Sequence, residues 1–148
     1  MHKIPRSVLV LIHTAQMEVL LLERAGRPGF WQSVTGSQDE GEDLESTARR
    51  EVKEETGLDI RDGRLTPWRL RNEFQIYTQW RSRYAPGVTR NTEHVFTLEL
   101  PRIVPVTISP EEHSACQWLP FRQAARMCFS WTNRDAIALL PKMRRIQQ

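Results

Sequence analysis

Cysteine is scarce in this chain: there are two in 148 residues, Cys116 and Cys128, and neither has a second Cys or a His at the spacing that zinc sites use. A disulfide framework and a zinc centre are therefore set aside, and both thiols are expected to be free and to pack as small hydrophobes. Long apolar runs are missing as well. The longest, Val8 to Ile12, reads as a strand and falls far short of the roughly 20 residues needed to cross a bilayer. Met1 to Arg6 enters that strand without the apolar stretch and small-residue cleavage site of a secretory signal, so a cytoplasmic protein is expected. No internal repeat, linker or low-complexity tract stands out. Neither sign of charge dominates: 21 Lys and Arg face 18 Asp and Glu, a net charge of +3. That small positive excess fits an anionic ligand and would also fit nucleic acid. No stripe of Lys and Arg interleaved with aromatics is present, so nucleic acid is not the expected partner.

What remains is the composition of one globular unit, 39% hydrophobic and 26% charged, and the length suits a single domain over residues 1–148. Arg6 to His13 and Val19 to Arg24 read as a hairpin of mostly buried strands. Further strands are expected around Trp68 to Leu70, Phe74 to Trp80 and Ala115 to Leu119, with His94 to Leu100 alternating as a half-buried strand. Tyr84 to Gly87 reads as a turn. Helices are expected from about Leu44 to Thr56, capped by Asp43 and ended by Gly57, and over Phe121 to Met127 and Asn133 to Leu140. Strands mixed with a few helices point to α+β or α/β packing in layers.

The most informative segment is Gly36-x5-Glu42-x7-Arg50-Glu51-Val52-x-Glu54-Glu55-x-Gly57-Leu58. On a helix advancing about 100° per residue, with Glu51 at zero, Glu55 lies near 40° and Glu54 near 300°, beside the apolar Leu44, Ala48 and Val52. Three carboxylates thus line the edge of the buried face. Arg49 and Lys53 fall on the far side. Like charges at i, i+4 destabilise a helix, and partial burial raises the cost. A hard divalent cation with oxygen ligands removes that penalty, and a polyphosphate requires the same kind of cation. Glu42 and Arg50 are placed to pair and brace the loop on the helix. Gly36 and Gly41 suit a loop that a phosphate approaches closely.

This pattern resembles the Nudix box at seven fixed positions and two aliphatic ones in one register. With any residue type occupying a position at a frequency of roughly 5 to 10%, accidental agreement is negligible. The resemblance implies a Nudix-type α/β/α sandwich with a mixed central sheet, and hydrolysis of a phosphoanhydride with Mg2+, for which Mn2+ is a possible substitute. It implies Glu51, Glu54 and Glu55 as metal ligands, with Glu54 and Glu55 as catalytic candidates. A further acid after the box often completes such sites. Glu112, in Pro110-Glu111-Glu112-His113, is the candidate for binding metal or orienting the attacking water. Spacing leaves the general base open.

A narrower resemblance, to the bacterial dihydroneopterin triphosphate pyrophosphatases of folate biosynthesis, rests on four segments. These are Phe30 to Ser37, Arg83 to Glu93, Glu112-His113 followed by Trp118, and Ser130 to Arg134. It implies a small triphosphate as partner, with substrate contacts at Lys3, Arg24, Thr35, the strand Phe74-Gln75-Ile76-Tyr77, and Ser130. Chemically, Lys3 and Arg24 offer charge to phosphate oxygens, and Phe74 or Tyr77 a flat face for a pterin. Trp31, Trp118 and Trp131 are expected to pack. Ile4, Tyr77 and the Ile103 to Ser109 loop depart from that group. Two other readings stay open: a (deoxy)nucleoside triphosphate pyrophosphatase, and a Nudix module that binds a nucleotide without cleaving it.

Overall fold

A computed structural model describes residues 1–147. Its strands are β1 (Arg6–Thr14), β2 (Glu18–Arg24), β3 (Trp31–Gln32), β4 (Val34–Ser37), β5 (Arg64–Gln75), β6 (Arg90–Leu100) and β7 (His113–Pro120), and its helices are α1 (Leu44–Thr56), α2 (Phe121–Met127) and α3 (Trp131–Gln147). All seven strands form one mixed sheet, with β3-β2-β1-β6-β5 as its main path. At the centre, β1 pairs parallel with β6 from Arg6 opposite Thr92 to Thr14 opposite Leu100. The expected β1–β2 hairpin holds only beside its turn, where His13 faces Val19. Beyond that point β4 takes over the β1 edge, pairing Ser7 to Val10 with Ser37 to Val34, while β2 runs along β7 and β3. The two edges diverge, and the cleft described below draws residues from both.

Successive side chains of a strand point to opposite faces, so the apolar run Val8 to Ile12 feeds two cores. Val8, Val10 and Ile12 pack with Ala48 and Val52 of α1. Leu9 and Leu11 pack with Ala124, Ala125, Ile137 and Leu140 of α2 and α3 on the other face. At about 1.5–3 kcal/mol for each large apolar side chain taken from water, these two cores carry the stability of the fold. Helices on both faces of a mixed sheet make the expected sandwich. Among the described residues no helix is long and apolar enough to cross a membrane.

The structure corrects several boundaries. The strand read over Phe74 to Trp80 ends at Gln75, because its partner β6 begins at Arg90, opposite Gln75. Ile76 N–H still donates to the Thr89 carbonyl at 2.8 Å, after which Thr78–Arg83 winds into a short 3-10 helix. The segment His94 to Leu100 belongs to a longer strand whose middle, Val95 to Leu98, is buried throughout, since β1 and β5 flank it and helices cover both faces. The last helix opens two residues before Asn133 and continues through Pro141 to Gln147. Pro141 forgoes one backbone bond, but Leu140 is buried and Arg144 clasps Glu99 of β6 at 2.7 and 3.1 Å, which holds the final turns on the sheet. Asn133 does not cap that helix. Its side chain crosses to Ser33, accepting from the backbone N–H at 2.8 Å and donating to the hydroxyl at 3.0 Å. Trp31 and Trp118 pack as expected, whereas Trp131 is 49% exposed. Cys128 is buried, its thiol pushed up to about 12 by desolvation, and Cys116 is exposed, both free.

Candidate active site

Helix α1 is fixed at both ends. The Asp43 side chain accepts from Ser46 N–H at 2.7 Å, and Gly57, at φ 73°, takes the left-handed turn that lets its N–H reach the Lys53 carbonyl. With Ala48 and Val52 in the core, the helical repeat sets Glu51 and Glu55 at the border of the buried face. Glu51 is 9% exposed and Glu55 only 1%. Neither carboxylate oxygen of Glu55 has a hydrogen-bond partner. Burial first, then the neighbouring Glu51 and Glu112, raise its pKa well above the ordinary carboxylate value. Glu54 is placed differently: its side chain is 49% exposed, it is not among the cleft-lining residues, and it reaches Arg50 at 3.5 Å.

The expected brace is present. Arg50 Nε and Nη2 donate to the two oxygens of Glu42 at 2.8 and 3.0 Å, and Nη2 also donates to the Ser37 carbonyl at 3.0 Å. Thr47 and the Asp39 N–H add bonds to Glu42 at 2.7 and 3.0 Å. The Arg50 guanidinium is the main cause that holds the Glu42 pKa down to about 2. Beyond what spacing implied, Arg50 Nη1 also contacts Glu51 at 2.8 Å. Gly36 has a reason of its own. A Cβ there would overlap the Glu51 carboxyl, so the carboxylate lies directly against the β4 backbone. Gly41, at φ 80°, has open space around it and serves the turn.

Opposite Glu55 stands the turn before β7. Glu112 is exposed, its N–H donating to Ser109 O at 3.0 Å and its carbonyl accepting from Ala25 N–H at 2.9 Å. His113 is buried, with Nε2 3.6 Å from Glu55 Oε1. Burial, then the Arg24 charge, lower its pKa to about 4, so at neutral pH it is uncharged and does not offset Glu55. Glu55, Glu112 and His113 each offer one ligand atom, all within 4.8 Å of one another. Orphaned, buried carboxylate oxygens beside further carboxylates form a donor set suited to a hard divalent cation.

These groups belong to a cleft of about 760 Å³. The same cleft also carries basic and aromatic side chains. Arg24 lies 4.8 Å from the Trp80 ring centroid, with Arg27 and Arg83 at 5.6 and 5.7 Å. Tyr77 meets Trp80 edge-on at 5.1 Å, and Phe129 stacks on Phe30 at 4.7 Å. Lys3 is tied in through its backbone, its N–H donating to Arg83 O at 2.8 Å; desolvation, then Arg83, lower its pKa. Of the residues marked as substrate contacts, Lys3, Arg24, Thr35, Phe74, Ile76, Tyr77 and Ser130 line this cleft. Gln75 does not; the strand alternation that turns Phe74 inward leaves it exposed. The Thr35 hydroxyl donates to Val8 O at 2.9 Å, and that of Ser130 pairs with Thr132 at 2.9 Å. Sequence reasoning missed Trp80, placed in a strand that does not form, and gave no role to Asn91, Glu93 or His113, whose burial beside a cleft has no signature in local sequence.

The NUDIX domain profile matches residues 3–140. The dihydroneopterin triphosphate diphosphatase of Escherichia coli K12 is 46% identical over 139 residues, 92% of this chain and 91% of the relative. The Haemophilus influenzae enzyme of the same name is 37% identical over 92% of this chain and 87% of its own. The solved structure of the E. coli dihydroneopterin triphosphate pyrophosphohydrolase superposes with a TM-score of 0.86 at 45% identity, covering 92% of this chain and 94% of that one. With the box glutamates lining the cleft at Glu51 and Glu55, and the profile spanning almost the whole length, this chain belongs to the NUDIX family.

Proposed function

We propose that this chain hydrolyses 7,8-dihydroneopterin triphosphate to the monophosphate and pyrophosphate, with Mg2+ as its metal and Mn2+ as a substitute. The observation that carries the reading is Glu55: a buried, unpartnered carboxylate in a cleft that is also lined by cationic and aromatic side chains. Extensive identity to relatives that bear this activity in their names supports the choice of substrate.

Glu51, Glu55 and Glu112 would hold the metal; Glu54, exposed and outside the cleft lining, would have to turn in to join them. When bound, the metal offsets charge on the phosphate oxygens and lowers the pKa of a water. Lys3 and Arg24 bind phosphate oxygens, near enough to Glu112 for one triphosphate to reach both the cations and the metal. Trp80, Tyr77 and Phe74 receive the faces of the heterocycle and exclude water from it. The Arg50–Glu42 brace keeps the loop from Ser37 to Asp43 seated on α1. Glu54, Glu55 and Glu112 are the groups available to accept the proton of the attacking water. A small triphosphate, not a nucleic acid, is the partner, and the cytoplasm is the setting.

Incubating the purified protein and Mg2+ with dihydroneopterin triphosphate, dATP and dGTP, and identifying the products, tests this. Pyrophosphate release with the highest kcat/KM on the pterin is expected. A preference for dATP of about tenfold or more, some 1.4 kcal/mol in transition-state binding, would instead assign a nucleoside triphosphate pyrophosphatase.

A further inference from the structure

Strand β6 carries two buried polar side chains that the chemistry above does not use. Asn91 and Glu93 lie two residues apart, hence on one face; they are 4% and 5% exposed, and both line the cleft. Asn91 Nδ2 donates to Ser7 Oγ at 2.7 Å. Its Oδ1 has no partner, and neither has Oε1 of Glu93. Desolvation pushes the Glu93 pKa up to about 7, with only the Thr132 hydroxyl acting against it. Two acceptors shut away from water and left without donors are costly to the free protein. Such groups persist where a ligand supplies the missing donors.

The surroundings say what kind of ligand. Phe74 is the cross-strand partner of Asn91, and Tyr77, Trp80 and Phe129 pack about one another at 5.1 to 6.4 Å on the same cleft. The cleft thus holds aromatic surface together with the two unpartnered acceptors of β6. We propose that Glu93, supported by Asn91, is the specificity-determining acceptor for a heterocycle that carries a ring N–H beside an exocyclic amine, the 2-amino-4-oxopyrimidine edge shared by pterins and guanine. A carboxylate accepts from both donors side by side. Against the ionised carboxylate adenine sets a ring acceptor and is rejected by an unpaired lone pair. The assignment rests on the substrate reading above and adds the residue that distinguishes this ring from others.

The test uses binding without metal or turnover. The wild-type protein is titrated calorimetrically with neopterin and with the analogue that has oxygen in place of the 2-amino group. Against the ionised Glu93 carboxylate, reached above its pKa of about 7, neopterin should bind at least about tenfold tighter, because the analogue leaves a buried acceptor facing an acceptor. Glu93→Gln should reverse the order, since an amide offers one acceptor and one donor and so matches a ring N–H beside a carbonyl. Equal affinities in the wild type, including no binding of either ligand, would overturn the proposal, as would an unchanged preference in a folded Glu93→Gln protein. Should that variant fail to fold, the wild-type ligand pair alone decides. A protein that prefers neopterin yet hydrolyses only dGTP keeps the Glu93 assignment and loses the pterin substrate. One that hydrolyses the pterin triphosphate but binds both ligands equally does the reverse.

Discussion

Replacing Gly36 by Ala separates the fold from the site. The backbone at Gly36 is ordinary strand, paired with Val8 and outside the left-handed region, so alanine is conformationally acceptable there. Its Cβ, however, meets the Cγ and carboxyl group of Glu51. To regain an ordinary van der Waals separation the carboxyl must retreat by about 1 Å or more, and it retreats by turning into the cleft. That motion breaks the 2.8 Å contact with Arg50 and costs part of the roughly 1–3 kcal/mol typical of overpacking. At about 3 °C per kcal/mol for a domain of this size, Tm should fall by less than about 9 °C. Function should suffer more. A misplacement of about 1 Å in a site of this kind costs on the order of 100-fold in rate, and Mn2+ affinity measured by calorimetry should fall about tenfold or more. Gly41→Ala is the control. At φ 80° with no neighbouring atom it strains the backbone by about 1–2 kcal/mol but moves no carboxylate, so it should lower Tm while sparing Mn2+ binding. A Gly36→Ala protein with kcat/KM within about threefold of wild type and unchanged Mn2+ affinity would refute the claim that Glu51 is set against this backbone to hold a metal.

Glu55→Gln should lower turnover by about three orders of magnitude or more, whereas the metal-free variant should melt at or above the wild-type temperature, because it removes a buried and unpaired charge; a clear loss of stability in scanning calorimetry would count against that account. Arg50→Met should destabilise the protein in a pH-dependent way. The folded pKa of Glu42 is about 2, below its ordinary 4.5, so its contribution is fully present above about pH 5 and is lost as pH falls through about 2. The gap between wild type and variant in urea titrations should close over that window; a gap independent of pH would show that the ion pair is not its source. Arg24→Ala should raise KM more than it lowers kcat, since a guanidinium on the cleft wall holds phosphate alike in ground and transition states. An unchanged KM for the triphosphate would remove Arg24 from the contact.

Local chemistry made parts of this molecule legible without coordinates. Helix α1 could be bounded to the residue because its cap, its left-handed terminal glycine and its apolar stripe are all properties of neighbouring residues. The pairing of Glu42 with Arg50 was legible as opposite charges at two fixed positions of the motif, one in the loop and one on the helix. Where pattern failed, a long-range contact decided the outcome. Phe74 to Trp80 has a strand-like composition, but a strand exists only while its partner lasts, and β6 starts opposite Gln75. Pro141 reads as a stop, yet a clasp from Arg144 to Glu99, 45 residues away in the chain, keeps the helix going. The helical wheel already sets Glu54 farther from the apolar stripe than Glu51 and Glu55, and the fold widens the difference, because β4 and the turn before β7 cover Glu51 and Glu55 and leave Glu54 exposed. Trp80 and Glu93 enter the cleft through the 3-10 turn and through the burial of β6, neither of which a window of sequence contains.

The charges of the cleft explain why such an arrangement persists in a folded protein. Its acids and bases relieve one another only in part: Glu51 and Glu112 act on Lys3, and Glu55 and Glu112 on Arg24, less strongly than burial does, while Arg50 contacts Glu51 at 2.8 Å. Glu55 is raised by burial and by neighbouring acids, while Lys3 and Arg24 are lowered by burial and by neighbouring arginines. His113, the one basic group within ion-pair range of Glu55 among the described residues, has a pKa of about 4 and stays neutral. A cation alone would satisfy the acids and face the arginines, and a polyanion alone would do the opposite. A metal–triphosphate pair answers both at once, and its two components should therefore bind with reciprocal coupling. The fold tolerates the unliganded state because its stability lies elsewhere, in the two apolar layers that β1 feeds from opposite faces. Glu51 and Glu55 occupy the border of one of those layers without contributing to it.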